Sequence, residues 1–358
     1  MSNERTYVIA EAGVNHGGRL DTALALVEAA AAAGADAVKF QTFVPEALVS
    51  GHTPKAAYQQ HATGKGSQLA MLRQLALTDN DHVTLAGRCR ALGIAFLSSP
   101  FDPRSATFLI AMGLKRLKLG SGELTNAPLL LRIARSSCKL ILSTGMATLE
   151  EVEEALGVLA FGYTNAEGPP GREAFRRAYA DVEGRNCLRA QVTLLHCTTE
   201  YPCPFEDVNL RAMGTLQESF GLPVGLSDHT PGYSTAVAAT ALGAAVIEKH
   251  FTLDRRLPGP DHAVSLEPDE LRAMVEAIRA VECALGDGRK RPAPSEWKNI
   301  PVARKVLVAS RPITQGEAFG EENLAAKRAG AGLSPMHFWD IQGRRAPRDF
   351  APDEAVVL

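Results

Sequence analysis

The chain lacks a cysteine framework. Its six cysteines (Cys89, Cys138, Cys187, Cys197, Cys203 and Cys283) are scattered, with no CxxC pair among them. Such spacing builds no disulfide scaffold and reads as reduced thiols in a cytoplasm. Cys197 and Cys203, within HCTTEYPCP, match no usual structural zinc spacing. No run of about 18 apolar residues occurs, so no membrane span is expected. The opening MSNERTYVIAEAG passes straight into a strand pattern, without the features of a secretory leader. Charge of one sign is also lacking: 38 basic against 40 acidic residues leave a net charge of −2. That argues against a general nucleic-acid binder, while leaving room for a local basic cleft that holds an anionic metabolite.

What is present is bulk for a sizeable core. The 358 residues, 46% hydrophobic and 22% charged, suit a soluble globular protein made of one barrel plus a small appendage. Eight short apolar runs recur: Tyr7–Ala12, Ala37–Thr42, Ala95–Ser99, Arg116–Gly120, Leu140–Thr144, Val192–Cys197, Val224–Ser227 and Ala244–Lys249. Amphipathic segments separate them, and Gly34 ends the first such segment before the next run; RALGIAF, AMGLKRLKL and TALGAAVIE repeat that exit. Helix, glycine and strand in repetition read as a parallel sheet, and eight repeats with no edge-like strand predict an α/β fold, a closed (β/α)8 TIM barrel. In such a barrel the chemistry lies after the strands. Pro45 to Lys65 reads as an extended loop over the mouth, and Phe161 to Arg189 as a polar insertion of one short helix and a loop. The barrel is assigned residues 1–286, the linker GDGRKRPAPSEW and its continuation residues 287–302, and a small β-rich domain residues 303–358.

The strand exits carry Glu11, Lys39, Gln41, Ser99, Lys118, Ser121, Glu123, Ser143, Thr199 and Tyr201. Lys39 and Lys118 sit inside otherwise apolar strands, where an unpaired ammonium is costly, so each implies an anionic partner. Lysines with strand-end serines and backbone N–H groups make a plausible cradle for phosphate and carboxylate. From Val224 to Asp261, two apolar runs each end in a polar cluster holding one histidine. As parallel neighbours they would bring His229 and His250 to one edge, close enough to share a metal ion, with Asp228, Glu248 and Asp261 nearby. Two chemistries fit these residues: a metal acting as Lewis acid on an aldehyde, or Lys39 or Lys118 acting as a Schiff-base nucleophile in a class I aldolase. A non-catalytic sugar-binding protein is the reading from another class.

The segments IAEAGVNHGG, AGADAVKFQT, LKLGSGE, LSTGMAT, LLHCTTEYP, GLSDHT and EKHFTLDRRLPGPDH, in that order, resemble the sialic acid synthase family over essentially the whole chain. From Ala303, the chain with KRAGAGLSP is similar to that family's small antifreeze-like (SAF) domain. The resemblance implies a cytoplasmic enzyme that condenses phosphoenolpyruvate with an N-acylated mannosamine-type sugar, giving a nine-carbon 2-keto sugar acid and phosphate by C–O cleavage. It implies that His229 and His250 hold a divalent ion, Mn2+ or Mg2+, and that Glu11 stands at the reacting centre. Lys39, Ser99, Lys118, Ser121, Ser143 and Thr199 would serve phosphoenolpyruvate. Gln41, Glu123, Tyr201 and Asp261 would contact the sugar, and Arg328 would reach it from the partner in a domain-swapped homodimer. Members often carry asparagine where this chain has Thr199, which puts that contact in doubt. Both N-acetylmannosamine and 2,4-diacetamido-2,4,6-trideoxymannose, the legionaminate precursor, stay open as the sugar.

Overall fold

A computed structural model describes residues 5–55, 60 and 63–358. The chain divides into two compact units, Met1–Gly286 and Asp287–Leu358. In the first, eight parallel strands run in the order β3-β2-β1-β8-β7-β6-β5-β4. They are β1 (Tyr7–Gly13), β2 (Ala37–Thr42), β3 (Ala95–Pro100), β4 (Arg116–Leu119), β5 (Lys139–Ser143), β6 (Val192–Cys197), β7 (Val224–Asp228) and β8 (Val246–His250). The first strand bonds the last, with Glu11 opposite His250, so the sheet curls on itself. Among the described residues only the β3–β4 seam lacks a ladder, which leaves a nearly closed (β/α)8 barrel. The last strand starts two residues later than expected and takes His250 into the ladder.

Strand periodicity of two explains where the site falls. Ile9, Ala37, Leu97, Ile141, Leu195 and Val246 form one buried apolar layer inside the barrel. Two residues further along the same strands stand Glu11, Lys39, Ser99, Ser143, Cys197 and Glu248. The intervening residues, such as Val38, Leu142 and Ile247, face the helices in the main core. The barrel therefore closes with hydrocarbon below and turns polar at the carboxyl edge.

The glycine exits behave as the sequence predicts. Gly34, Gly93, Gly113 and Gly243 have φ of 79°, 72°, 86° and 91°, a region that costs a side-chain-bearing residue strain. The insertion differs from expectation. The helix Leu149–Tyr163 runs through its start, and two helices follow, Arg172–Ala180 and Val182–Gln191, where one short helix was expected. In the loop after β2 the helical turn Pro45–Leu48 comes before the helix Gln68–Leu75; residues 56–59 and 61–62 lie outside the described residues. Among the described residues, no helix is long and apolar enough to cross a membrane.

The second unit pairs β9 (Val306–Ala309) antiparallel with β10 (Leu324–Lys327). Single bridges, Ile313 to Phe350 among them, wrap a core built on Leu307, Phe319, Ile341, Phe350 and Val356.

Candidate active site

A cavity of about 300 Å3 opens at the carboxyl edge of the barrel. Its lining includes Glu11, Lys39, Gln41, Ser99, Lys118, Ser121, Ser143, Thr199, Tyr201, His229, His250 and Asp261. Residues chosen from eight separate strand exits thus converge on one space. Two do not line it. Glu123, half-buried in the turn after β4, accepts a hydrogen bond from Asn126 Nδ2 at 2.7 Å. Arg328 belongs to the second unit and is exposed there.

The two lysines are partnered from within the protein. Lys39 Nζ lies 2.8 Å from Glu11 Oε1 and 3.6 Å from Glu248 Oε2, and donates to Ser99 Oγ at 3.2 Å. Lys118 Nζ lies 3.0 Å from Glu248 Oε1, which also accepts from Ser227 Oγ at 3.0 Å. The anionic partner that each lysine implies lies within the protein: two buried glutamates supply the counter-charge. Glu248 is the residue that sequence reasoning undervalued. It was named only as an acid beside a histidine, although its place two residues before His250 puts both on the inward face.

The two glutamates are driven apart electrostatically. Burial carries the Glu11 carboxyl up to about 7, against the pull of Lys39. Burial acts on Glu248 too, but Lys118 and Lys39, with their hydrogen bonds and that of Ser227, outweigh it and hold Glu248 at about 2. Near neutral pH the cluster holds one firm carboxylate and one carboxyl poised to exchange a proton. Glu11 Oε2 and Glu248 Oε2 are buried without a hydrogen-bond partner.

The histidine pair is neutral. Burial pushes His229 down to about 4, and burial with the neighbouring His229 pushes His250 well below its ordinary value. A carbonyl only accepts, so the 2.8 Å contact from His229 Nδ1 to the Thr198 oxygen fixes the proton on Nδ1 and leaves Nε2 with its lone pair. His250 Nδ1 is buried with no partner. The ring centres lie 5.6 Å apart, and Tyr201 packs over His229 at 4.0 Å. Among the described residues no group of three or more His, Cys, Asp or Glu is arranged to hold a metal. Two neutral imidazoles, each with a ring nitrogen lone pair, have the chemistry to hold a divalent cation.

Two glycines border the site, Gly13 constrained by its backbone and Gly145 by a close approach. At Gly13 (φ +54°) an added methyl would touch Asp261 Oδ2, Gln41 Nε2 and Glu11 Oε1, each at 3.5 Å. At Gly145 it would meet Thr199 Oγ1 at 2.5 Å and Ser121 Oγ at 2.7 Å, and the Gly145 N–H donates to Ser121 Oγ at 2.9 Å. Thr199 and Ser121 thus meet over a bare backbone, a cradle that a side chain would fill. Asp261 is buried, which raises its carboxyl to about 6 against the pull of Lys39.

A parallel barrel whose strand ends gather two lysine–glutamate pairs, a serine cradle and a neutral histidine pair defines an enzyme of the barrel class with a polar, convergent active site. The NeuB family profile matches residues 26–290 and the SAF domain profile residues 304–357. The chain belongs to the NeuB family. It is 46% identical over 354 residues to N,N'-diacetyllegionaminic acid synthase of Campylobacter jejuni, covering 99% of each chain. It is 42% identical to the enzyme of that name from Legionella pneumophila, covering 96% of this chain and 91% of the other. Among solved structures it resembles N-acetylneuraminic acid synthetase of Leptospira borgpetersenii at 32% identity and a TM-score of 0.68, covering 83% of this chain and 91% of that one.

Proposed function

We propose that this chain is a nonulosonic acid synthase, a transferase that joins phosphoenolpyruvate to an open-chain N-acylated mannosamine-type sugar and releases phosphate. The observation that carries the reading is the convergence of two lysines, a serine–backbone cradle and the neutral His229–His250 pair in one cavity. The relatives named as legionaminic acid synthases support it.

In this reading Lys39 and Lys118 meet the phosphate and carboxylate of phosphoenolpyruvate, with Ser99, Ser121, Ser143, Thr199 and the Gly145 N–H shaping the cradle. A divalent cation, Mn2+ or Mg2+, held by His229 and His250 would supply Lewis acidity toward the sugar aldehyde. C3 of phosphoenolpyruvate bonds to the aldehyde carbon, whose oxygen takes up a proton. Water adds at C2, and the C–O bond to phosphate breaks. Glu11, near 7, suits the proton traffic of these steps. Gln41, Tyr201 and Asp261 orient the sugar, joined by Glu123 at the rim and by Arg328 from the second subunit of a domain-swapped homodimer. A cytoplasmic location belongs to the same reading, supported by six free thiols.

The Schiff-base alternative is disfavoured at Lys39. Burial alone would lower its ammonium, but Glu11 and Glu248 raise it above the ordinary value, so it stays protonated and is a poor nucleophile. The test is phosphate release from phosphoenolpyruvate by the metal-loaded protein, with N-acetylmannosamine and with 2,4-diacetamido-2,4,6-trideoxymannose, each with and without chelator. Metal-dependent release supports the reading. Trapping of a lysine by borohydride with substrate, and activity indifferent to chelator, overturns it in favour of an aldolase.

A further inference from the structure

The cavity is two-faced. Its polar lining comes from the strand interiors, from the loops after β4 to β8 and from Gln68 at the start of the helix Gln68–Leu75. Another arc of its lining is hydrocarbon: Val14 after β1, Leu48, Val49, Met71 and Leu72 from the extension after β2, and Phe101 after β3. These belong to a single apolar cluster, separate from both the barrel layer and the main core. Because β3, β2 and β1 are consecutive neighbours in the sheet, the cluster occupies one continuous arc of the mouth. Met71 and Leu72 are nearly buried, whereas Leu48, Val49 and Phe101 are half-exposed. A ligand that buries apolar surface against these half-exposed side chains gains about 25 cal/mol per Å2 of hydrocarbon removed from water.

The two candidate sugars differ on this point. N-acetylmannosamine carries hydroxyls at C4 and C6. The trideoxy sugar ends in a methyl at C6 and adds the methyl of a second acetamido group. A C6 hydroxyl set against the arc would lose its water without gaining a partner, whereas a methyl would complete the cluster. We infer that the arc of Leu48, Val49, Met71, Leu72 and Phe101 is the specificity wall of the sugar site, and that it selects a 6-deoxy acetamido sugar over its 6-hydroxy counterpart. This rests on the synthase reading above.

The test compares kcat/KM for N-acetylmannosamine and for its 6-deoxy analogue, which differ only in the C6 oxygen, with phosphate release as readout. One hydroxyl against hydrocarbon discriminates by about 10- to 100-fold, so the metal-loaded wild type should prefer the 6-deoxy sugar by at least about 10-fold. Val49→Thr keeps the side-chain volume and Leu48→Gln keeps the helical turn. Each should lower that preference by about 10-fold, with KM for phosphoenolpyruvate moving less than about twofold. A preference unchanged in both variants, or equal use of the two sugars by the wild type, overturns the inference while leaving the synthase standing. Absence of phosphate release with any sugar, the trideoxy sugar included, overturns the synthase reading itself and this inference with it.

Discussion

Lys249 and Asp228 form a fully buried ion pair behind the histidines, and breaking it gives the sharpest energetic test. Lys249 Nζ lies 2.9 Å from Asp228 Oδ2 and donates to the Thr230 carbonyl at 2.5 Å, with both side chains 1% exposed. Asp228 Oδ1 accepts from the Thr230 N–H at 2.9 Å and from its hydroxyl at 2.8 Å. Burial lowers the Lys249 ammonium from its ordinary value while Asp228 pulls it back, the mark of a charge kept inside by its partner. Lys249→Met leaves an uncompensated buried carboxylate and an unbonded carbonyl, which costs about 3–5 kcal/mol, a large share of the roughly 5–15 kcal/mol that holds a typical domain. The double variant Asp228→Asn with Lys249→Met removes both charges and keeps an acceptor for Thr230, so it should cost at least about 2 kcal/mol less than the sum of the singles. Urea unfolding followed by far-UV circular dichroism measures both. Trp297 and Trp339, the two tryptophans of the chain, lie in the second unit, so their fluorescence follows that unit as an internal control. A single-variant cost under about 1 kcal/mol, or strict additivity, would refute the reasoning.

Other outcomes follow from the same geometry. Gly145→Ala places a methyl within 2.7 Å of the Thr199 and Ser121 hydroxyls and should raise KM for phosphoenolpyruvate by about 10-fold or more, with the sugar KM less affected. His250→Ala should abolish tight Mn2+ binding in a calorimetric titration while far-UV dichroism stays native, since the ring nitrogen it removes bonds nothing in the protein. Glu11 titrates near 7 in the fold against an ordinary 4.5. Its contribution to stability is therefore complete below pH 4.5 and is lost as pH rises through 7. Glu11→Gln should accordingly flatten the loss of stability between about pH 5 and 8 in paired urea titrations; a variant that falls as steeply as wild type counts against a raised Glu11.

The parallel barrel was legible because the strands are short and apolar and five of the eight, β2, β3, β4, β7 and β8, follow a glycine in a left-handed conformation, signals that depend on local chemistry alone. The histidines and lysines were legible for a related reason: ionisable groups embedded in apolar strands stand out. The helices Arg172–Ala180 and Val182–Gln191 were not, because the first buries no residue and the second only Gly184 and Leu188, too little apolar periodicity to separate a helix from a polar loop. Glu248 was hidden by register. Within VIEKH every residue is buried, so hydropathy does not tell inward from outward; counting in twos from His250, or pairing Ile9 with Glu248 across the ladder, does. Once it is placed, the charge logic of the site changes. Two buried lysines need counter-charge before any substrate arrives: Glu248, shared between them, stays ionised, while Glu11, 2.8 Å from Lys39, can change protonation. In the proposed reaction the lysines would meet an anionic substrate from an already ionised arrangement: the carboxylate that holds them, Glu248, stays near 2, and the carboxyl suited to moving protons, Glu11, is a separate group near 7.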